Sequence, residues 1–326
     1  MEGVADVGRE LGSELEMVPA EPVAREALLL VHNADYVDQV EKLCAGGGGH
    51  VDPDTYAQPD SWDAALRSAG AGLQAVDGLR ARGDGVAFVA TRPPGHHALA
   101  GRGMGFCIFN NVAVTAASLA AAGERVLVVD WDVHHGNGTQ AMFWNDPRVL
   151  YVSTHQSPLY PGTGEADEIG GPDALGLTVN VPLPAGATGD VVRRALDHVA
   201  APVIDAFAPT WVLVSAGFDA HRADPLAELA LSGGDFAALA RDVAGYAPRD
   251  GRLVLFLEGG YDLDALRVSV AASLGALVGA DAGGADVGGA DVGGAGVAPQ
   301  PPTSGGPGAE SVREAGELRH RALDGG

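Results

Sequence analysis

The sequence predicts an α/β fold: a single domain with a central parallel sheet flanked by helices. Three observations carry that expectation. Short runs rich in β-branched and apolar residues recur along the chain, stretches of helical character separate several of them, and reactive residues fall just after the runs. Uninterrupted apolar strands alternating with helices are the pattern of a parallel sheet covered on both faces.

In order, strands are expected at Val86–Ala90, Val126–Asp130, Val149–Ser153, Leu177–Val181, Trp211–Ser215 and Leu253–Leu257. Helices are expected at Ser61–Arg82, Asn110–Ala122, Asp190–Phe207 and Gly234–Ala247. The domain then spans residues 1–278. From residue 279 the chain becomes a Gly/Ala/Pro run with a short GADVG repeat. Large apolar groups are too few there to offset ordering entropy, so 279–326 reads as a disordered tail with room for a polar helix over Glu310–Leu323.

With 326 residues, 46% of them apolar, the chain can build a sizeable core. Its formal net charge is -23 and Lys42 is its only lysine. Nothing offers a basic patch, so direct binding of nucleic acid is not expected. An acidic surface suits a cationic substrate, and solubility accounts for it about as well. Two cysteines, Cys44 and Cys107, make no disulfide framework and point to a reducing compartment, the cytoplasm. Neither a signal peptide nor a membrane span is expected, because no apolar run of about 18 residues occurs.

Four polar clusters follow four strands: VAFVA runs into TRPPGHH, VLVVD into WDVHHGNG, WVLVS into AGFD, and LVLFL into EGGYD. The carboxyl ends of parallel strands are where such sheets bind ligands, so clusters far apart in sequence should converge. Asp132 and His134 stand two apart, which in extended chain turns both side chains the same way. With Asp219 from another strand they make three ligands and an open position, the layout of a catalytic zinc site. Two carboxylates and one imidazole would also accept Fe(II) or Co(II). Taken singly, such residues are more often a loop aspartate and a core histidine; their joint placement favours the metal.

His96 and His97 follow a Pro-Pro-Gly turn and could serve as general base and general acid beside that metal, rather than as a surface pair. Asp130 could orient one imidazole. Tyr261 follows Gly259 and Gly260, whose freedom allows a turn presenting the phenol as an oxyanion donor.

RPPGHHA, GFCIFNNVA, VVDWDVHHGNGTQ, VSTHQSPLYPGTG, AGFDAHRADPL and LEGGYD together resemble the histone deacetylase and acetylpolyamine amidohydrolase family, on the arginase–deacetylase fold. The resemblance covers roughly residues 28–275, and Asn137 in HHGN with the LEGGY form is similar to the class II branch. It implies that Asp132, His134 and Asp219 bind zinc, that His97 is the main acid–base beside His96 and Asp130, and that Tyr261 stabilises the oxyanion. Gly105, Phe106 and Tyr160 would line the acetyl-lysine tunnel, with Leu226 at its mouth and Asp54 at the rim. A potassium ion would be held by Asp130, Ser153 and Thr154 with the backbone of Asp132 and His134. The substrate would be an acetylated lysine in a protein or peptide, or a small acetylated amine.

One departure from the family pattern is the beginning of the chain, where a first strand and a His-Pro-Glu-Arg-Pro segment are expected but MEGVADVGRELGSELE stands instead. Rival readings are an acetylpolyamine amidohydrolase and a catalytically silent zinc-binding module. A ureohydrolase of the same fold would need further carboxylate ligands that the sequence lacks. Composition says nothing of oligomeric state.

Overall fold

The computed structural model describes residue 4, residues 15–279 and residues 300–325. Its main sheet has six parallel strands: β3 (Ala87–Val89), β4 (Val126–Asp130), β5 (Val149–Gln156), β6 (Thr178–Leu183), β7 (Trp211–Ala216) and β8 (Leu253–Leu257), in the order β3-β8-β7-β4-β5-β6. A small antiparallel hairpin, β1 (Gly49–Asp52) and β2 (Thr55–Ala57), lies apart from it. All six predicted strands are present. The hairpin was not predicted, because GHVDPDTYA has turn residues but no long apolar run.

Both faces of the sheet are covered, and β4 shows how. Leu127 and Val129 join the core on one face, while Val126 and Val128 join the core on the other. Such a strand must be apolar at every position, which is why VLVVD carries no alternation. Helices Ser61–Arg82 and Asn111–Ala121 cover the second face, and Gly233–Ala244 and Leu263–Gly279 pack together over the first. The predicted helix Asp190–Phe207 is present as Gly189–Ala195, a π turn at Leu196–Ala200 and Ala201–Phe207. Local chemistry sets the helix ends. Asn110 Oδ1 accepts the Ala113 N–H at 3.0 Å, and Ser232 with Asp235 forms a capping box.

The order of strands reverses between β4 and β7, which are hydrogen-bonded neighbours, Val126 pairing with Trp211, although far apart in sequence. That junction is the crevice in which parallel sheets bind ligands.

The reading of 279–326 as one disordered tail is corrected for residues 300–325. Helix Ala309–Gly325 packs on β6, the outer strand. Val312, Ala315 and Arg319 share one face at helical spacing and are all buried. The Arg319 guanidinium donates to the carbonyls of Thr178 and Gly176, covering the open sheet edge. Composition averaged over the whole stretch hid that short face; the GADVG repeats themselves lie outside the described residues. So does most of the segment concerned by the expected missing strand: before residue 15 only Val4 is described, and it is buried. Among the described residues β3 pairs on one side only, with β8. No described helix is long and apolar enough to cross a membrane.

Replacing Arg319 by Leu should leave the edge carbonyls unbonded and lower stability by roughly 1–3 kcal/mol, the cost of unsatisfied buried polar groups. Urea denaturation of the full chain measures it. An unchanged midpoint would show that the helix holds without its arginine.

Candidate active site

Asp132 and His134 follow β4, and Asp219 follows β7 beside it. Their ligand atoms lie within 4.8 Å of one another. His134 Nδ1 is 3.1 Å from Asp132 Oδ1 and 3.2 Å from Asp219 Oδ2. The convergence is local in origin. Asp132 Oδ1 accepts the His134 N–H at 2.9 Å, curling the segment back on itself. Asp132 Oδ2 accepts the Gly259 N–H at 2.8 Å, and Asp219 Oδ1 accepts the Val133 N–H at 2.9 Å.

Asp219 Oδ2 has no hydrogen-bond partner although it is buried. A buried carboxylate oxygen left so is costly, and a second carboxylate stands beside it. Burial raises the Asp219 carboxyl, with the charge of Asp132 adding to it, to about 7. Burial also opposes a charge on His134, but Asp132 and Asp219 outweigh it and hold the imidazole up at about 10. Two carboxylates with one imidazole fit a divalent metal.

The two histidines have different partners. His96 Nδ1 is 3.0 Å from Asp130 Oδ2, which also accepts the Tyr151 hydroxyl at 3.1 Å. Burial opposes its protonation, but Asp132 and Asp130 outweigh burial and hold His96 well above the ordinary histidine range. His97 Nδ1 is 2.8 Å from Asn137 Oδ1, an acceptor, so Nδ1 carries the hydrogen and Nε2 is free to act as base. Burial, and next the charge on His96, push His97 well below the histidine range. The two rings, 4.0 Å apart between centroids, are thus pushed in opposite directions, His96 toward the cation and His97 toward the neutral base.

Two functional residues escaped the sequence reading. Asn137 was noted only as a mark of a family branch, yet it fixes the tautomer of His97. Glu258, at the end of β8, is buried and accepts the N–H groups of Gly95 (2.6 Å) and His96 (3.2 Å) and the Ser215 hydroxyl (3.0 Å). It anchors the turn that carries both histidines. Burial, partly countered by His96, raises its carboxyl to about 7. The signal was available: a charged residue directly after LVLFL needs a buried partner.

The rim is built by the unpredicted hairpin. Asp54 Oδ1 accepts the Gly105 N–H at 3.2 Å and the Thr55 hydroxyl at 2.8 Å, and Thr55 Oγ1 accepts the Phe106 N–H at 3.0 Å. These bonds hold Phe106 at φ 65°, a left-handed conformation costly outside glycine. Gly105 must be glycine, since a Cβ would fall 2.4 Å from the His97 ring. Phe106 faces Tyr261 at 6.0 Å between ring centroids, and Tyr160 stands 5.1 Å from His97 and 6.2 Å from His134. Leu226 is 47% exposed, which sets aside ordinary core packing. Burial and the charges of Asp132 and Asp219 push the Tyr261 phenol far up, so it stays a neutral donor. Asp130 and Ser153 are register partners on β4 and β5, with Thr154 next in line and buried. His155 Nε2 donates to Gly164 O, so its Nδ1 accepts the Ser153 hydroxyl hydrogen at 2.9 Å and leaves the Ser153 oxygen lone pairs free.

The model of the histone deacetylase domain matches residues 3–277. A probable deacetylase of Archaeoglobus fulgidus is 41% identical over 260 residues, 78% of this chain and 72% of the relative. A histone deacetylase-like amidohydrolase of Pseudomonas aeruginosa is 40% identical over 256 residues, 77% of this chain and 67% of the relative. Among solved structures, a crystal structure of the HDA15 HD domain aligns with a TM-score of 0.84 at 31% identity, covering 99% of this chain and 87% of that one.

Only neutral His134 can ligate, yet in the metal-free site it keeps its proton to about pH 10. Zinc added to metal-free protein near pH 7 should therefore release at least one proton, from His134 with a further fraction from Asp219, and apparent affinity should fall as pH drops. Calorimetry in buffers of different ionisation enthalpy reads both. Release of well under one proton, no more than Asp219 alone supplies, would remove His134 from the ligand set.

Proposed function

This chain belongs to the histone deacetylase family, and on that premise we propose that it is a zinc-dependent deacetylase. It hydrolyses the amide of acetyl-lysine, or of a related acetylated amine, to acetate and the free amine. The observation that carries this reading is the division of labour between His96 and His97 beside the cluster of Asp132, His134 and Asp219. A silent binding module would need the metal cluster but no such pair.

Asp132, His134 and Asp219 would hold the metal, which supplies Lewis-acid polarisation of the amide carbonyl and of the attacking water. Zinc suits the ligand set, and Fe(II) or Co(II) would too. His97 takes a proton from water at Nε2, its ring held by Asn137. The Tyr261 hydroxyl donates to the carbonyl oxygen as negative charge develops there. His96, charged and anchored by Asp130, adds positive potential to the same region. The proton taken by His97 passes to the leaving nitrogen, so water and amide become acid and amine. Gly105, Phe106 and Tyr160 would flank the lysine stem, and Asp54 would meet the substrate backbone at the rim. A potassium ion would lie behind the site on Asp130, Ser153 and Thr154, with the backbone of Asp132 and His134. Two free, buried cysteines suit a reducing compartment, and we assign the enzyme to the cytoplasm.

Changing Tyr261 to Phe should leave bound metal in place and lower kcat roughly 10²- to 10³-fold, the usual effect of removing one oxyanion donor. Turnover at the parental rate on acetyl-lysine peptides would overturn the role.

Leu226 decides substrate choice. An exposed leucine at the mouth gives apolar contact to a lysine stem, while a second ammonium farther along a polyamine finds no carboxylate there. Losing such a charge-assisted contact costs about 1.5–3 kcal/mol, roughly ten- to a hundredfold in affinity. Acetyl-lysine peptides should therefore exceed N8-acetylspermidine in kcat/KM, and Leu226→Glu should shift preference toward the polyamine. A parental preference for the polyamine would move the assignment to an acetylpolyamine amidohydrolase.

A further inference from the structure

From Gln300 the chain runs across the N-terminal ends of helices Gly233–Ala244 and Gly189–Ala195. The Ser232 hydroxyl donates to Pro301 O at 2.7 Å, the Thr303 N–H to Asp235 Oδ1 at 2.9 Å, and the Gly189 N–H to Thr303 Oγ1 at 2.9 Å. Contact is close: a Cβ at Gly234 would fall 2.3 Å from Gln300 O.

The Gln300 side chain reaches toward the active site. Its Oε1 lies 2.8 Å from His221 Nε2 and accepts the Gly233 N–H at 2.9 Å. The Ala223 N–H donates to His221 Nδ1 at 3.1 Å, so the ring hydrogen sits on Nε2 and points at the Gln300 oxygen. His221 is buried, two residues after Asp219. Its carbonyl accepts the Asp224 N–H at 2.8 Å. The Asp224 carboxylate then accepts the N–H of Tyr261 at 2.7 Å and that of Leu226 at 3.0 Å. Hydrogen bonds linked through the covalent frames of His221 and Asp224 thus join Gln300 to the backbone of Tyr261 and of Leu226.

We infer that Gln300 is a positioning residue: through His221 and Asp224 it sets the 219–226 segment against Tyr261. The roles of Tyr261 and Leu226 in this inference rest on the deacetylase reading; the brace itself does not. Two buried donors, His221 Nε2–H and Gly233 N–H, converge on one oxygen, and an amide oxygen with two lone pairs satisfies both. A hydrocarbon in its place would leave both donors unpaired and release the segment.

The test compares Gln300→Leu with Gln300→Glu in the full chain; Glu keeps an oxygen that can accept from both donors. Amide hydrogen exchange and steady-state kinetics on an acetyl-lysine peptide are read together. In Gln300→Leu the amides of residues 221–226 and of Tyr261 should exchange faster while β4 and β7 keep their protection. kcat should fall roughly ten- to a hundredfold, as expected when a catalytic group is misplaced at a distance, with a smaller change in KM. Gln300→Glu should restore both. A folded Gln300→Leu with parental exchange in these segments, or with altered exchange but parental kcat, overturns the inference, as does a Gln300→Glu variant no better than Leu. If Gln300→Leu fails to fold, Gln300→Asn, which draws the acceptor back by one methylene, is read by the same criteria. Should the parent protein lack activity on acetylated substrates, the deacetylase reading fails, while the exchange measurement still decides whether the brace exists.

Discussion

Four carboxylates, Asp130, Asp132, Asp219 and Glu258, are buried side by side at the end of an apolar sheet, and their compensation organises the site. A buried carboxylate survives only with hydrogen bonds or opposite charge, and each of the four is served differently. Glu258 takes two backbone N–H groups and a hydroxyl. Asp130 takes an imidazole, a phenol and the Asp132 N–H. Asp132 and Asp219 both face His134, and Asp219 Oδ2, 3.2 Å from that imidazole, accepts no hydrogen bond, a place that fits a metal ion. Room for this crowding comes from missing side chains. A Cβ at Gly259 would fall 1.9 Å from Asp219 Oδ2, and one at Gly217 would fall 2.1 Å from Asp132 Oδ2. The glycines after β7 and β8 are thus required by the carboxylates, not only by the turns.

The same carboxylates make two adjacent, equally buried histidines differ. His96 lies against Asp130 and near Asp132 and Glu258, which push it toward the protonated form. His97 meets a neutral amide and the charge of His96, and it gives its proton up. A carboxylate at position 137 would blur that difference, since His97 would then also gain a charged partner. Base and cation are set by what each ring faces, and the chain places the two choices on consecutive residues by a turn that Glu258 fastens.

The sequence made the strands legible because buried parallel strands must be apolar throughout, and it made the metal cluster legible because reactive residues at strand ends have few other reasons to be there. What it concealed lies in single hydrogen bonds. Nothing in GHVDPDTYA announces that Thr55 and Asp54 fasten Phe106 in a left-handed conformation. Asn137 and Glu258 read as motif letters until their partners are seen. The C-terminal helix was foreseen over Glu310–Leu323, but its docking was hidden by composition: Val312, Ala315 and Arg319 form a face only when counted at helical spacing, and the glycine-rich run before them outweighs that face in any average.

That last segment also changes where the limits of the site fall. The family match ends at residue 277, and the clusters that follow β3, β4, β7 and β8 all lie within it. Yet the 219–226 segment carries Asp219 of the metal-fitting cluster at one end and exposed Leu226 at the other, and it is a loop; a loop holds its geometry only as well as its hydrogen bonds do. Its inner bonds run to Val133 and Tyr261, which belong to the site. Its outer bonds run to Leu231, within the matched stretch, and through His221 to Gln300, beyond it. Motifs shared across a family therefore cover Asp132, His134, Asp219 and the two adjacent histidines, while one of the bonds that fasten the wall facing Tyr261 comes from a part of the chain that those motifs do not describe.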